Sequence, residues 1–229
     1  MDIIIAIFFA VVVLGILRIL FYTSSKKIIM FGRNKELNEL TNKFPDNKLI
    51  CNKILKMIGN KTTKIEEEQK KGICLYLVMT DKIILSNMKE NFARIQTIAH
   101  ECIHSMQDKK YLWFNFIFSN LYIIYFVIIT ILTLVGIIQN TMLHMFMLML
   151  FGFLYYIIRN YLESDAMIKA RYLARNYMYH EKILTPEEIE KVIENYDVLN
   201  KLGVPVTNYN IAFNVIIKIV IYALAGYFT

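Results

Sequence analysis

The sequence predicts a mostly helical integral membrane protein with three to four transmembrane helices and a cytosolic α+β domain built around one H-E-x-x-H helix. Three observations support this fold class. The 229 residues have a mean hydropathy of +0.42, which is too apolar for an ordinary soluble domain. Several apolar runs are long enough to cross a bilayer. The run His100-Glu101-Cys102-Ile103-His104 places two histidines about one helical turn apart around a glutamate.

The first region, residues 1–23, is predicted to be a transmembrane anchor. Ile3 to Tyr22 is apolar, with only Gly15 and Arg18 as interruptions, and Arg18 lies close enough to the end to extend its charge to the surface. Asp2 precedes the run and basic residues follow it, which is the reverse of a cleavable signal peptide. We therefore expect a retained anchor whose N-terminus lies outside the cell.

The second region, residues 24–110, is predicted to be cytosolic. Apolar residues at helical spacing predict a helix over 47–58, and 61–72 has the composition of a charged connector. The segments 73–79 and 83–85 predict two short strands joined by a turn. These strands either pack into the core, or one of them forms a free edge that pairs with an extended substrate.

The H-E-x-x-H helix completes this region. Asn87 and Glu90 form a capping-box pattern at its predicted start. One face is apolar (Phe92, Ile95, Ile98, Ile103), and the opposite face is polar (Ala93, Thr97, His100, His104, Gln107 or Asp108). Two histidines at this spacing can bind one metal ion together, while Glu101 reaches a water on that metal. The alternative is that the pattern is accidental and the histidines are ordinary surface or core residues.

The three cysteines, Cys51, Cys74 and Cys102, show no pairing pattern, which favours a reducing compartment. Cys102 lies two positions from His100 and therefore faces away from the proposed metal. We interpret it as a packing residue.

The region 111–158 is predicted to be a transmembrane hairpin, since 111–138 and 141–158 are strongly apolar on either side of a short break. Residues 159–207 are predicted to be cytosolic helices, one of which begins at Thr185-Pro186. This section is expected to end near Gly203 and Pro205. The last region, 208–229, is predicted to be a transmembrane helix, although it carries Lys218 near its middle.

The basic residues predict the orientation. Residues 24–110 carry 17 of the 26 lysines and arginines and residues 159–207 carry 7, whereas the hairpin turn carries none. An N-outside topology places both basic segments on one side, and the positive-inside rule identifies that side as the cytoplasm. The net charge of +7 therefore reflects topology and contact with the lipid bilayer, and no pattern typical of nucleic-acid binding is evident.

A third metal ligand is expected, because a catalytic zinc has three protein ligands and one open position for water. A membrane hairpin leaves and returns on the same face, so the chain after the hairpin returns near the H-E-x-x-H helix. The first carboxylates there are Glu163 and Asp165. Glu163 is the expected ligand; Asp165 is the alternative ligand, or it holds a ligating imidazole through the other ring nitrogen. The other two histidines are not the expected ligands. His144 is expected on the opposite side of the membrane, and His180 lies farther along the chain.

In layout and motifs the chain resembles the neutral zinc metallopeptidases, a family of small bacterial membrane proteins, and more distantly the HtpX-type and CAAX prenyl-protease membrane gluzincins. The resemblance rests on the segment from His100 to Gln107, the membrane hairpin, and Glu163-Ser164-Asp165-Ala166. Thr80-Asp81-Lys82 and the segment 206–209 differ from what the family leads us to expect. The resemblance implies a zincin-like cytosolic domain and hydrolysis of peptide bonds.

The function expected from these residues is that of a membrane-embedded zinc metalloendopeptidase on the cytoplasmic side of the cell membrane. Zinc would be bound by His100, His104 and Glu163, with Glu101 as general base, and the substrate would be a peptide or a membrane protein. Candidates for oxyanion support are Tyr161, Arg171, Tyr172 and Arg175. The alternative is a catalytically inactive metal-binding membrane protein, acting as a sensor or a partner-binding scaffold.

Overall fold

The computed structural model describes residues 2–68, 73–88 and 91–228. Most of them are helical, and one small sheet is present. In chain order the described elements are α1 (Asp2–Gly32), α2 (Lys35–Asn42), α3 (Asn47–Met57), β1 (Lys64–Glu67), β2 (Leu75–Leu77), β3 (Lys82–Leu85), α4 (Arg94–Met106), α5 (Lys109–Leu134), α6 (Thr141–Glu181) and α7 (Pro186–Tyr227).

The chain forms two compact units. The apolar unit comprises Met1–Thr23, Phe114–Tyr161 and Pro205–Thr229, and the polar unit comprises Ser24–Trp113 and Leu162–Val204.

Three of the described helices, α5, α6 and α7, are long and apolar enough to cross a membrane. They include both arms of the predicted hairpin and the predicted C-terminal span. In their most apolar stretches at most 33% of the residues are buried, as expected of helices whose outer faces meet lipid. The predicted N-terminal anchor is helical as part of α1. The side chains of residues 1–7, 9, 10 and 22–24 lie outside the described part, so its role as a span stays a prediction.

The turn of the hairpin lies slightly earlier than predicted. α5 ends at Leu134 rather than near residue 138, and Gly136 follows with φ +74°, a left-handed conformation that glycine adopts without steric cost. The amide oxygen of Asn140 then accepts a hydrogen bond from the backbone N–H of Leu143 at 3.0 Å. This contact caps the first turn of α6.

The polar unit ends at Val204, near Gly203 and Pro205 where the predicted section ends, but the helix does not stop there, because α7 continues through both residues to Tyr227. A proline inside a helix removes one backbone hydrogen bond, but neighbouring groups can satisfy the freed carbonyl. The start of α7 agrees with the sequence. The Thr185 hydroxyl accepts from the Glu188 backbone N–H at 3.2 Å, and the Glu188 carboxylate accepts from the Thr185 N–H at 2.9 Å, which is a complete capping box.

The sheet of the polar unit has the order β1-β3-β2. β2 pairs with β3 antiparallel, as the two predicted strands require, and Asp81 turns between them with φ +45°. β1 was not predicted, because it lies in the charged segment 61–72 and Ile65 is its only apolar residue. It forms through parallel pairing with β3, in which Ile65 lies opposite Ile83.

The H-E-x-x-H helix, α4, begins later than the capping-box pattern indicated. Its first helical residue is Arg94, and Ala93 occupies the N-cap position without a side-chain cap. The side chain of Asn91 instead accepts a hydrogen bond from the Ala93 N–H at 2.9 Å. Asn87 is therefore not the cap, and Glu90 lies outside the described residues.

Candidate metal centre

α4 is fixed in the polar unit by a buried arginine at its first position. The Arg94 side chain donates to the carbonyl oxygens of Thr41, Phe44 and Pro45 at 2.8, 2.8 and 2.9 Å, and to the Asn47 amide oxygen at 3.0 Å. Burial lowers the pKa of Arg94 from its ordinary value. These contacts join the start of α4 to the end of α2, the connection after it and the first residue of α3, and thereby set the position of the helix.

The two faces of α4 separate packing from the candidate site. Phe92, Ile95, Ile98 and Cys102 belong to the buried core. The Cys102 sulfur lies 3.7 Å from that of Cys51, and both are free thiols. Cys102 therefore packs inside the core, as its position in the sequence predicts.

The opposite face brings His100 and His104 together with Glu163 of α6. The two Nε2 atoms lie 3.0 Å apart. Glu163 places one carboxylate oxygen 3.4 Å from His100 Nε2 and the other 3.8 Å from His104 Nε2. Ligands about 2.1 Å from a tetrahedral ion lie roughly 3.4 Å from one another. These three side chains form a group that could hold a metal ion.

Gln107 determines which nitrogen of His104 is free. The Gln107 amide nitrogen donates to the Leu162 carbonyl at 2.8 Å and to Asp165 at 3.0 Å. Its oxygen must then be the atom that lies 2.8 Å from His104 Nδ1, so Nδ1 carries the proton. The lone pair of His104 is consequently on Nε2, which faces His100 and Glu163. This is the tautomer that a metal ligand needs.

Asp165 contacts Gln107, rather than the candidate metal position or an imidazole as the sequence suggested. Its carboxylate accepts from Gln107 and pairs with Lys169 at 2.6 Å. Although burial alone would raise the pKa of Asp165, these two hydrogen bonds and the charge of Lys169 lower it. The imidazole of His104 is thus held by Gln107, and Asp165 in turn holds Gln107. The role of Gln107 was missed, although its spacing of three residues from His104 on one helix face is a usable signal.

Glu101 is buried beside the candidate ligands, with 6% of its surface exposed. Burial raises the pKa of its carboxyl above the ordinary value. The nearby histidines oppose this rise, Glu163 adds to it, and a hydrogen bond from the backbone N–H of Tyr76 in β2 also opposes it. β2 is an edge strand of the sheet, so this N–H is available to a group outside the sheet.

Tyr76 is itself held by a polar network at the turn before β3. Its hydroxyl donates to Asp81 at 2.8 Å and also contacts the ammonium of Lys109, which lies 3.2 Å from Asp81. Thr62 and Thr63 donate to the same carboxylate at 2.8 and 2.9 Å. Burial alone would raise the pKa of Asp81, but these hydrogen bonds lower it to about 2. The network stabilises the strand that contacts Glu101.

Burial of His104, which has 8% of its surface exposed, would by itself lower its pKa. The hydrogen bond and the negative charge of Glu163, with the charge of Glu101, outweigh this effect and raise it. A cation between the imidazole and the carboxylates is therefore favoured, whether that cation is a proton or a metal ion.

The other residues that the sequence singled out have separate partners. Arg171 pairs with Asp197, and Arg175 pairs with Glu190 at 2.8 Å. Tyr161 and Tyr172 are exposed. His144 belongs to the apolar unit, where Nδ1 lies 2.9 Å from the Tyr125 hydroxyl. The side chain of His180 is 71% exposed.

Comparison of the chain with protein-family models, with curated proteins and with solved structures found no match in any of the three.

Proposed function

We propose that this protein is a zinc metallopeptidase of the cell membrane, with zinc held by His100, His104 and Glu163. The observation that carries the proposal is the arrangement at His104. An amide fixed by two acceptors directs the Nε2 lone pair toward the second imidazole and a carboxylate. This arrangement leaves His104 Nε2 facing a second imidazole and a carboxylate, which is the orientation that a metal ligand needs.

The donor set favours zinc among the common ions. Two imidazole nitrogens and one carboxylate form the usual three-ligand set of a catalytic zinc, whereas magnesium and calcium prefer sites made of oxygen ligands. Manganese or iron are the alternatives that also accept this set. When bound, zinc supplies Lewis-acid chemistry, because it lowers the pKa of water to about 7 and polarises a carbonyl.

Glu101 is the proposed general base. It follows His100 directly and is buried beside the ligands, and burial raises the pKa of its carboxyl above the ordinary value, which makes the carboxylate a stronger base. In the proposed reaction Glu101 accepts a proton from the attacking water and then donates it to the nitrogen of the departing amine. The hydrogen bond from the Tyr76 backbone orients its carboxylate for both steps.

An extended substrate chain has a candidate binding edge in β2. This strand lies at the edge of the sheet, and its Tyr76 N–H already reaches Glu101. Pairing with an edge strand would hold a peptide backbone beside the general base.

The proposed location of the centre is the cytoplasmic side of the membrane. The support is the charge distribution: the segments 24–110 and 159–207 contain 17 and 7 of the 26 basic residues, and His100, His104 and Glu163 belong to these segments.

The test compares wild type with Glu101→Gln, each purified in detergent free of host proteases. Glu101→Gln should retain stoichiometric zinc and lose hydrolysis of an unfolded membrane protein, since the glutamine cannot accept the proton. His100→Ala should lose both zinc and hydrolysis. Retained turnover in Glu101→Gln contradicts the role of Glu101. Bound zinc with no cleavage by wild type would instead favour a metal-binding protein without catalysis.

A further inference from the structure

A second site lies in the apolar unit, on the part of α7 that follows Pro205. The ammonium of Lys218 donates to the backbone carbonyl of Asn214 at 2.8 Å and lies 5.5 Å from the centre of the Tyr122 ring. A lysine in a membrane-spanning helix is expensive and usually has a functional reason.

The ammonium of Lys218 lies near the middle of this segment. At 1.5 Å per residue, the Lys218 Cα is about 20 Å from Pro205 and about 14 Å from the helix end at Tyr227. The side chain folds back toward Asn214, as helical side chains do, and so points away from the nearer end. The charge therefore does not extend to the closer surface. It lies at about the depth of the bilayer centre.

The apolar unit offers this charge little compensation. Its three sequence segments contain a single acidic residue, Asp2 at the far N-terminus. They contain two other arginine or lysine residues, Arg18 and Arg159. The guanidinium of Arg18 lies 5.7 Å from the ring of Phe213 on α7. Nearby, the Tyr122 hydroxyl is buried and has no hydrogen-bond partner among the described residues.

The lysine continues a row of polar side chains along α7, which we call the polar stripe: Asn210, Asn214 and Lys218. These positions are four residues apart and share one face of the helix. Asn210 and Asn214 are exposed in this chain. The amide of Asn214 donates to the carbonyl of Asn210 at 3.0 Å, which leaves its oxygen available. In a bilayer Asn210 and Asn214 would face lipid, where unsatisfied polar groups are costly, and Lys218 beside them is half-buried.

We propose that the polar stripe binds a transmembrane helix of another protein that carries an aspartate or glutamate near the centre of its span. Charge complementarity selects this partner, because a carboxylate at the same depth compensates Lys218. A second copy of this chain cannot supply it, since its spans contain no acidic residue at that depth. Interhelical polar contacts of this kind stabilise helix association in lipid.

The experiment measures binding in phosphatidylcholine vesicles at pH 8 between the full-length chain and a synthetic Leu/Ala-rich transmembrane peptide. The peptide carries a single Glu at its centre, and matched peptides carry Gln or Leu at that position. Energy transfer between labels on the two molecules reports the association. We expect the Glu peptide to bind at least about tenfold more tightly than the Leu peptide, with the Gln peptide between them.

The variants separate the stripe from general effects. Lys218→Met should reduce binding of the Glu peptide to the level of the Leu peptide, and Lys218→Arg should retain most of it. Lys201→Met, on the same helix but in the polar unit, is the matched control and should bind as wild type does. The comparison of Glu and Leu peptides is made with the wild-type chain alone. It therefore tests whether the chain prefers a carboxylate even if Lys218→Met fails to fold.

Three results would overturn the proposal. One is equal binding of the Glu and Leu peptides by wild type, and another is binding of the Glu peptide that Lys218→Met leaves unchanged. The third is loss of Glu-peptide binding when a few per cent of phosphatidylglycerol is added to the vesicles, because the ammonium would then lie within reach of an anionic headgroup rather than at the depth of the peptide's Glu.

Discussion

Replacement of Gln107 by leucine tests how the candidate metal centre is built. The side chain has similar size but makes none of the three hydrogen bonds of the glutamine, to His104, Leu162 and Asp165. The imidazole of His104 then loses the acceptor that fixes the proton on Nδ1. Removal of such a partner from a ligating histidine typically weakens metal binding by about 10- to 100-fold. This corresponds to about 1.4 to 2.7 kcal/mol of binding free energy.

The assay is a competition titration of zinc between the purified protein and a fluorescent chelator at pH 7.5, with circular dichroism as the check on folding. Asp165→Asn is the matched control. Its amide oxygen can still accept from Gln107, so we expect a change of less than about threefold in zinc affinity. The double variant should bind zinc as weakly as Gln107→Leu alone, because Asp165 acts through Gln107 and the two effects are not additive.

Two outcomes would refute this account. If Gln107→Leu binds zinc within threefold of wild type, the amide does not control the imidazole. If Asp165→Asn weakens zinc binding as much as Gln107→Leu and the double variant binds more weakly than either, Asp165 acts independently of Gln107, as the alternative ligand suggested by the sequence would.

Three further predictions concern pH, the turn before β3 and the apolar unit. The pKa of His104 is raised, and zinc needs the neutral imidazole. As the pH is lowered, the zinc affinity measured by titration should therefore begin to fall at a pH above the ordinary histidine value of about 6.5. Constant affinity from pH 8 to 6 would contradict this prediction. Asp81→Asn should lower the free energy of unfolding by about 1 kcal/mol after solvent screening. Asparagine tolerates the positive φ of this position. The pKa of Asp81 is lowered to about 2, so its contribution is present above about pH 4 and is lost as the pH falls toward 2; thermal unfolding across this range should show the two proteins converging. Gly152→Ala should destabilise the protein by about 1 to 3 kcal/mol, because an added Cβ would lie 2.4 Å from a methyl carbon of Val215. Gly15→Ala, which meets nothing within 4 Å, is the control and should be neutral or stabilising in thermal unfolding.

The sequence predicted the elements whose signal is local. Apolar runs of bilayer length predicted the helices that are long and apolar enough to cross a membrane, because lipid requires such length and composition in one continuous segment. The pair Thr185-Pro186 predicted the start of α7, because proline favours the first turn of a helix, and the capping hydrogen bonds found there join residues only three positions apart. The spacing of His100 and His104 placed both imidazoles on one face, because helix periodicity alone decides it.

Contacts between distant segments decided the rest. β1 exists because β3 lies beside it, and its own residues give a weak strand signal. α4 begins at Arg94 rather than after Asn87. The guanidinium of Arg94 is bound there by carbonyl groups at the end of α2 and in the connection that follows it. The helix passes through Pro205, where the local rule indicated an end.

The same division holds at the candidate site. The sequence by itself determined which residue types are available to a metal and that Glu101 lies next to a candidate ligand. Only the tertiary structure decided that Gln107 orients His104, that Asp165 supports Gln107, and that the Tyr76 backbone reaches Glu101. The physical reason is that a hydrogen bond between segments depends on distances of a few tenths of an ångström, which the packing of the whole unit sets and no local pattern encodes.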